Sequence, residues 1–180
     1  MTRLPLFLLL LFLSGAQPDE EKLNSINKFT DSIGNKSEYA VLIDMSMPSN
    51  EKRLFLIQLE TKKIIYSSYV AHGKGSGTGT KAIYFSDAPG GLCTTLGHFK
   101  IGKNYIGKHG DSYELIGLEN TNANAMKRSI VIHSAWYAEE SFIKKSGRCG
   151  NSWGCPAVSE EALKKLKPYL SENTIVWIYK

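Results

Sequence analysis

The chain has 180 residues, of which 42% are apolar and 22% are charged, and its formal net charge is +5. This length suits one well-buried domain and is short for two. The basic residues are scattered singly and no nucleic-acid-binding module is recognisable, so we do not expect the protein to bind nucleic acid.

Residues 1–16 are predicted to be a signal peptide. Arg3 gives a positively charged start, residues 4–13 form an apolar run, and residues 14–16 are small, as a signal peptidase requires. The run is shorter than the roughly 20 residues that cross a bilayer. We therefore expect export to the periplasm or cell wall, a mature chain that begins at Gln17, and no stable membrane insertion after cleavage.

Residues 17–37 form a predicted N-terminal helical segment. Apolar side chains recur at near-helical spacing, acidic residues occupy the first turn and Gly34 follows the last turn, which predicts a helix over residues 19–33. From Tyr39 the period changes to that of a β-strand. A strand at 39–46 is followed by a hairpin of two runs, 54–59 and 64–70, which favours an antiparallel sheet.

Residues 72–97 are rich in glycine and predict a long irregular segment. Such segments in compact domains are usually functional or mobile. The glycines of residues 73–79 lack the spacing of a phosphate-binding loop, and no helix follows them to bind an anion. A flexible loop, or a surface that another backbone approaches closely, is the preferred interpretation.

The second half of the chain continues as short strands with few helices. A helical turn is predicted at 120–126 and a helix capped by Ser159 runs to about Leu170. The predicted strands lie at 98–102, 105–107, 113–118, 129–133 and 174–179. Together these patterns predict a mainly β domain with a few helices (α+β) over residues 38–180.

The three cysteines are Cys93, Cys149 and Cys155. Export would place them where disulfides persist, and an odd count leaves at least one thiol free unless chains pair. All three pairings are open at this point. Cys155 can react if Cys93 bonds Cys149, but not if Cys155 is itself in a bridge. Together with His133, Cys149 and Cys155 match no common zinc spacing.

His133 and Cys155 are the candidate base and nucleophile. A thiolate rather than a thiol attacks a carbonyl, so a catalytic cysteine needs an imidazole nearby. His133 ends an apolar strand, and loops at strand ends often carry catalytic groups. Gly154 can adopt conformations closed to other residues, so that successive backbone N–H groups converge into an oxyanion hole.

The other histidines are weaker candidates for a base. His98 lies within an apolar strand pattern and is expected to be packed or solvated rather than catalytic. His72 and His109 lie beside glycines in loops, where they can line a cleft.

Several motifs resemble those of the YkuD-like L,D-transpeptidases, whose catalytic signature is a strand-end histidine followed by Ser/Thr-x-Gly-Cys. Here the corresponding residues are Ile132-His-Ser134, Gly147-Arg148 and Ser152-Trp-Gly-Cys-Pro-Ala157. Further segments are similar to the exported, single-domain murein L,D-transpeptidase-like branch, and they include Val70-Ala-His-Gly73, Tyr105-Ile-Gly-Lys-His-Gly110 and Arg128-Ser-Ile-Val-Ile-His133. The resemblance covers about residues 38–160.

This resemblance implies an L,D-transpeptidase-like β-sandwich that acts on peptidoglycan stem peptides without a metal or cofactor. Cys155 would attack an L-to-D peptide bond to form a thioester, and an acceptor amine would resolve the thioester into a cross-link. The implied catalytic residues are Cys155, His133 as general base, Ser134, Trp153 and Gly154, with the backbone N–H groups of residues 153–155 as oxyanion donors. The implied substrate-binding residues are His72, Lys74, His109, Tyr137, Arg148 and Ser152.

The chain departs from the family pattern at several positions, and these departures lead to further predictions. Ala157 stands where most relatives carry Arg or Asn, which assigns substrate carboxylate binding to Arg148 or Lys74. Cys93 and Cys149 lie outside the pattern, which favours a bridge between them, whereas a bridge from Cys149 to Cys155 would disable the site. Two alternatives stay open, an L,D-carboxypeptidase in which water resolves the thioester and a catalytically silent peptidoglycan-binding protein.

Overall fold

The structure, a computed structural model, describes residues 17–180, and the predicted signal peptide lies outside them. The predicted fold class is confirmed, since this part of the chain is mainly β with three α-helices: α1 (Glu20–Ser32), α2 (Glu140–Ser146) and α3 (Glu160–Leu166). The strands are β1 (Tyr39–Asp44), β2 (Leu54–Gln58), β3 (Lys63–Ser68), β4 (His72–Gly73), β5 (Gly97–Gly107), β6 (Gly110–Gly117), β7 (Val131–Ser134), β8 (Asn151–Ser152), β9 (Ala157–Val158) and β10 (Ile175–Tyr179).

Eight strands form one sheet in the order β3-β2-β1-β10-β5-β6-β7-β9, and β4 pairs with β8 in a small second sheet. Most neighbours are antiparallel, but β1 with β10, β7 with β9 and β4 with β8 are parallel pairs. Strands from distant places in this order, such as β2 and β7, contribute side chains to one apolar cluster. The large sheet therefore bends over a shared core.

Strand β1 is apolar on both faces because each face packs against a different layer. Val41 and Ile43 join the core cluster that also includes α3, while Ala40 and Leu42 join a second cluster with Ile26 of α1. Successive side chains of a strand point to opposite faces, so the mixed pattern at residues 39–46 reflects burial on both sides.

Helix α1 agrees with the helix predicted at 19–33. Asp19 caps it by accepting a hydrogen bond from the backbone N–H of Lys22, and side-chain caps of this kind typically contribute about 1 kcal/mol. Phe29 stacks on His98 with ring centroids 3.7 Å apart. His98 is thus packed between α1 and the large sheet, which is one of the two states predicted for it. No helix among residues 17–180 is both long enough and apolar enough to cross a membrane.

The structure also differs from the predicted elements. The two short strands at 98–102 and 105–107 form one long strand, β5, with an irregularity in its pairing to β6. Helix α2 was not predicted, because seven residues are too few to establish a helical period. The final helix ends earlier, at Leu166, and continues as one 3-10 turn that contains Pro168, since proline lacks the N–H of an α-helical bond.

Candidate active site

A cavity of about 390 Å³ brings the candidate base and nucleophile together. It lies at the β7 and β9 edge of the large sheet, where His133 of β7 pairs in register with Ala157 of β9. Because Cys155 precedes Ala157 by two residues, this register brings the turn that carries the thiol alongside His133. Six of the residues predicted for the site line this cavity: His109, His133, Tyr137, Ser152, Trp153 and Cys155.

His133 has one ring nitrogen committed and the other available. Its Nδ1 lies 2.9 Å from the backbone carbonyl oxygen of Ser134. A carbonyl only accepts, so Nδ1 carries the proton and Nε2 holds a free lone pair. Burial lowers the pKa of His133 below its usual 6.5, and the neighbouring His109 lowers it further. The imidazole is therefore neutral near pH 7 and suited to accept a proton.

Ser134, a predicted catalytic residue, contributes through this backbone oxygen. It pairs in register with Val158 of β9, so the carbonyl belongs to a strand and holds the His133 ring in a fixed orientation.

Cys155 lies in the turn between β8 and β9. Its thiol donates to the backbone oxygen of Ser129 across 3.6 Å. Burial raises the pKa of this thiol above its usual 9.0, while a bond from the Val131 backbone and the charge of Arg128 act in the opposite direction. Cys155 and His133 are consequently both neutral at rest, so the thiol must lose its proton as it attacks.

The turn that carries Cys155 requires glycine at position 154. Gly154 has φ 123°, a conformation that side chains rarely allow. Its N–H donates to Ser152 Oγ at 3.1 Å, and the Ser152 hydroxyl donates to the Cys155 backbone oxygen at 2.6 Å. One of the three predicted oxyanion donors is therefore used inside the turn. The N–H groups of Trp153 and Cys155 are the remaining candidates.

Strand β4 supports this turn from behind. It pairs with β8, placing Gly73 opposite Ser152. A Cβ atom on Gly73 would lie 2.8 Å from the Cα of Gly154 and 2.3 Å from the backbone oxygen of Leu92. The glycine-rich segment is thus a surface against which the turn that carries Cys155 packs closely, one of the two interpretations of the sequence.

His72, predicted to bind substrate, is fully buried beside β8 and does not line the cavity. Its Nδ1 accepts from Arg53 Nη2 at 2.9 Å, and its Nε2 donates to the Gly77 backbone oxygen at 3.0 Å. Burial and the adjacent Arg53 lower the pKa of His72 to about 4. Both nitrogens are occupied, so this histidine holds backbone in place.

The two residues to which carboxylate binding was assigned also lie away from the cavity lining. Arg148 donates to the Cys149 backbone oxygen at 2.7 Å and to Asn151 Oδ1 at 3.1 Å. The ammonium of Lys74 lies 5.9 Å from the centre of the Trp153 ring. In this structure Lys108, which lines the cavity, is better placed than either to meet a carboxylate.

The expected bridge between Cys93 and Cys149 is wrong, since all three cysteines, which lie within residues 17–180, are free. Cys149 is buried and donates to the Ser49 backbone oxygen at 3.1 Å, whereas Cys93 donates to that of Gly91 at 3.3 Å. The two thiols face different partners, and sequence spacing carries no information about this. The bridge from Cys149 to Cys155 that would have disabled the site is absent as well.

Sequence reasoning missed several residues of the cavity. Tyr105 and Lys108 had no predicted role, yet they reach the cavity from the hairpin of β5 and β6. They lie beside the predicted His109, which stacks on His133 with ring centroids 4.4 Å apart. Ser129 has φ 52°, an uncommon value for a residue other than glycine. Its backbone carbonyl accepts the hydrogen bond from the Cys155 thiol. Arg128 and Ser129 lie in a motif that carries the family resemblance, but that motif by itself predicts a role for neither residue.

Comparison with known proteins identifies relatives of this chain. Residues 16–179 match the family model YkuD_2, the L,D-transpeptidase catalytic domain. None of the curated proteins matches. Among solved structures, Bdellovibrio bacteriovorus Bd1075 is similar with a TM-score of 0.51 and 17% identity over 79% of this chain and 48% of that one. An L,D-transpeptidase from Mycobacterium smegmatis is similar with a TM-score of 0.50 and 9% identity, covering 80% of this chain and 59% of that one. The chain thus spans about half to three fifths of these proteins.

Proposed function

Because this chain belongs to the L,D-transpeptidase catalytic domain family, we propose that it is a peptidoglycan L,D-transpeptidase that acts through Cys155 and His133. The observation that carries the proposal is the pairing of a free thiol with a neutral imidazole in one cavity, the imidazole keeping Nε2 free. Neither group needs a metal or a cofactor for acyl transfer.

The first half of the proposed reaction forms a thioester. His133 Nε2 takes the thiol proton while Sγ of Cys155 attacks the carbonyl of the L-to-D bond in a tetrapeptide stem, between the diamino acid and D-alanine. The N–H groups of Trp153 and Cys155 face the developing oxyanion, a contribution of about 3 kcal/mol per donor in comparable sites. The C–N bond then breaks, His133 returns the proton to the departing D-alanine amine, and the acyl group stays on Sγ.

The second half transfers the acyl group to an amine of another stem. His133, neutral again, takes a proton from the attacking amine as the new C–N bond forms. The C–S bond breaks and the thiolate recovers a proton from His133. Water in place of the amine would give an L,D-carboxypeptidase on the same residues.

Substrate recognition is proposed to use the positive charge of the cavity. Lys108 and Arg128 line it, and none of the described lining residues is an aspartate or a glutamate. Stem peptides carry free carboxylates, which such a cavity attracts. Tyr137 and Trp153 offer aromatic surface, and Trp153 is 73% exposed.

Export is a further part of the proposal. Residues 1–16 would direct the chain to the periplasm or cell wall, where peptidoglycan is found, and would then be removed. Sequencing the N-terminus of protein recovered from its native cell tests this. Gln17 as the first residue supports export, whereas an intact Met1 contradicts it.

The function is tested with the mature chain, disaccharide tetrapeptide and an acceptor stem, with products identified by mass spectrometry. We expect free D-alanine and a cross-linked dimer from the unaltered protein and neither from Cys155→Ala. Tripeptide without dimer would identify the carboxypeptidase. Absence of any product, together with no covalent adduct from a carbapenem, would leave the silent binding protein as the better account.

A further inference from the structure

Arg128 is a buried cation next to the proposed nucleophile. Its side chain is only 4% exposed, yet the residue lines the same cavity as Cys155. Nη1 donates to the Ser86 backbone oxygen at 2.9 Å and also to Thr95 Oγ1, while Nη2 donates to the Cys93 backbone oxygen. A guanidinium held by so many acceptors has a fixed position.

The turn that carries Cys155 is packed against this guanidinium. A Cβ atom on Gly154 would lie 2.9 Å from Arg128 Nη2 and 2.8 Å from the Cys93 backbone oxygen that Nη2 binds. Position 154 has no room for a side chain on the face that meets these two groups. The position of Arg128 therefore constrains the residue immediately before the nucleophile.

Arg128 also holds residues 86–95, a segment that packs against the turn. Through Ser86, Cys93 and Thr95 it is tied to residues 86–95. Thr94 of that segment accepts a hydrogen bond from the Gly73 backbone N–H at 2.9 Å, and Gly73 is the residue that packs on Gly154. One side chain thus links two of the surfaces between which the turn is held.

Arg128 lines the cavity, whereas its counter-ion Asp87 does not. Asp87 Oδ1 lies 3.4 Å from Arg128 Nη1, and Asp87 Oδ2 accepts from the Asn124 backbone N–H at 2.6 Å. Asp87 is not among the described residues that line the cavity, whereas Arg128 is. A cation that lines the same cavity as a thiol favours the anionic form of that thiol, and the charge of Arg128 acts to lower the pKa of Cys155.

We propose that Arg128 is a positioning residue for the acyl transfer described above. It fixes the turn of Trp153, Gly154 and Cys155, and its charge stabilises the thiolate that forms as the proton passes to His133. The effect on acyl transfer rests on the proposed function, but the effect on the thiol requires no substrate.

The test measures the rate of alkylation of Cys155 by iodoacetamide as a function of pH, with the modified residue assigned by peptide mapping. Arg128→Met removes the cation and should lower the rate near pH 7 about tenfold, because the thiolate becomes scarcer. Asp87→Asn leaves the cation without its counter-ion and should raise the rate. Arg128→Lys keeps the charge and should leave alkylation within about threefold of the unaltered protein.

Opposite effects of Arg128→Met and Asp87→Asn would distinguish charge from simple loosening of the structure. Both variants slowing alkylation, or Arg128→Met leaving it unchanged, would overturn the proposal. If Arg128→Met fails to fold, Asp87→Asn decides, since a rate that is unchanged or lower contradicts the proposal and a higher rate supports it.

A second readout concerns positioning. With stem peptide as substrate, Arg128→Lys should lower kcat about tenfold at nearly constant KM, because lysine cannot make the divergent contacts of a guanidinium. An unchanged kcat in Arg128→Lys would overturn the positioning role. If the unaltered protein transfers no stem peptide, the proposed function fails, whereas the alkylation rates still decide the role of Arg128 at the thiol.

Discussion

Two sets of residues, each with one histidine and one cysteine, lie near strand β8. Only one of the two sets faces the cavity. We call His133 and Cys155 the cavity pair, and Arg53, His72 and Cys149 the buried cluster. In both sets burial lowers the pKa of the histidine and raises that of the cysteine. The shift in pKa therefore does not distinguish the two sets.

What distinguishes them is which atoms remain available. His133 uses only Nδ1 and shares its cavity with the thiol. His72 uses both nitrogens, and Cys149 is fully enclosed with a pKa raised to about 11. A buried histidine is available as a base only when one of its nitrogens has no other partner.

The largest expected difference concerns the two cysteines. Cys155→Ala should lower transpeptidation at least about 10⁴-fold, because the nucleophile is lost. Cys149→Ala should leave kcat within about threefold and reduce the free energy of unfolding by about 1 kcal/mol, through a small cavity in the core. Assays of purified variants with denaturant unfolding check both values. A Cys149 variant as inactive as the Cys155 variant would break the comparison.

The two histidines should differ in which property they control. His133→Gln should reduce kcat by about 10² to 10⁴-fold while stability changes little, because the general base is removed. His72→Gln should instead reduce the free energy of unfolding by about 2 kcal/mol, since the buried Arg53 and the Gly77 carbonyl lose a well-placed partner. Thermal unfolding beside steady-state kinetics separates the two effects. Equal stability losses in both variants would contradict the assignment.

The two histidines should also respond differently to acid. The folded-state pKa of His72 is about 4, below the usual 6.5. At a pH between these two values, His72 therefore takes up a proton when the protein unfolds. Stability is retained above pH 6.5 and should fall by about 2 kcal/mol between pH 7.5 and 5. Denaturant unfolding at the two pH values measures this. His72→Gln should remove most of the dependence, and an unchanged slope in that variant would contradict it.

Activity should have its own acid limit, set by His133. Its pKa lies below 6.5, so kcat/KM should hold to about pH 6.5 and decline at lower pH as the base becomes protonated. His109→Gln should move this limit to higher pH, because the neighbouring His109, which lowers the pKa of His133, is removed. Initial rates under conditions where folding is verified test the shift. Movement to lower pH would exclude the proposed effect of His109.

The smallest expected effect concerns substrate carboxylates. Lys108→Ala should raise KM about threefold with kcat nearly unchanged, as an exposed cation contributes up to about 1 kcal/mol. Arg148→Gln, in which the altered side chain borders the buried cluster, should affect stability more than KM. Titration of the stem peptide against each variant compares them. A larger KM effect in Arg148→Gln would restore the assignment made from the sequence.

The sequence predicted the fold class, and it also predicted the candidate base and nucleophile that the structure brings into one cavity. His133 ends a β-branched run and Cys155 follows a glycine, and both signals are local. Local signals also predicted α1, and they predicted that His98 is not the base. The family resemblance, carried by ordered motifs, agrees with the family match over residues 16–179.

The remainder depended on contacts between distant residues. Lys108 reaches the cavity only because β5 and β6 extend as a long hairpin toward β7, which strand patterns do not reveal. His72 and His109 both neighbour glycines in the sequence, yet one is sealed against Arg53 and the other stacks on His133. The cysteine pairing failed for the same reason, since spacing does not indicate which carbonyl each thiol meets.

The most direct test of the account is to trap and locate the acyl-enzyme. Protein comprising residues 17–180 is mixed with tetrapeptide stem in the absence of an acceptor, quenched in acid and digested, and the modified peptide is identified by mass spectrometry. We expect one acyl group, the stem without its terminal D-alanine, on Cys155, and none on Cys149 or Cys93. Release of D-alanine by the Cys155→Ala variant, or an acyl group on another residue, would contradict the central claim.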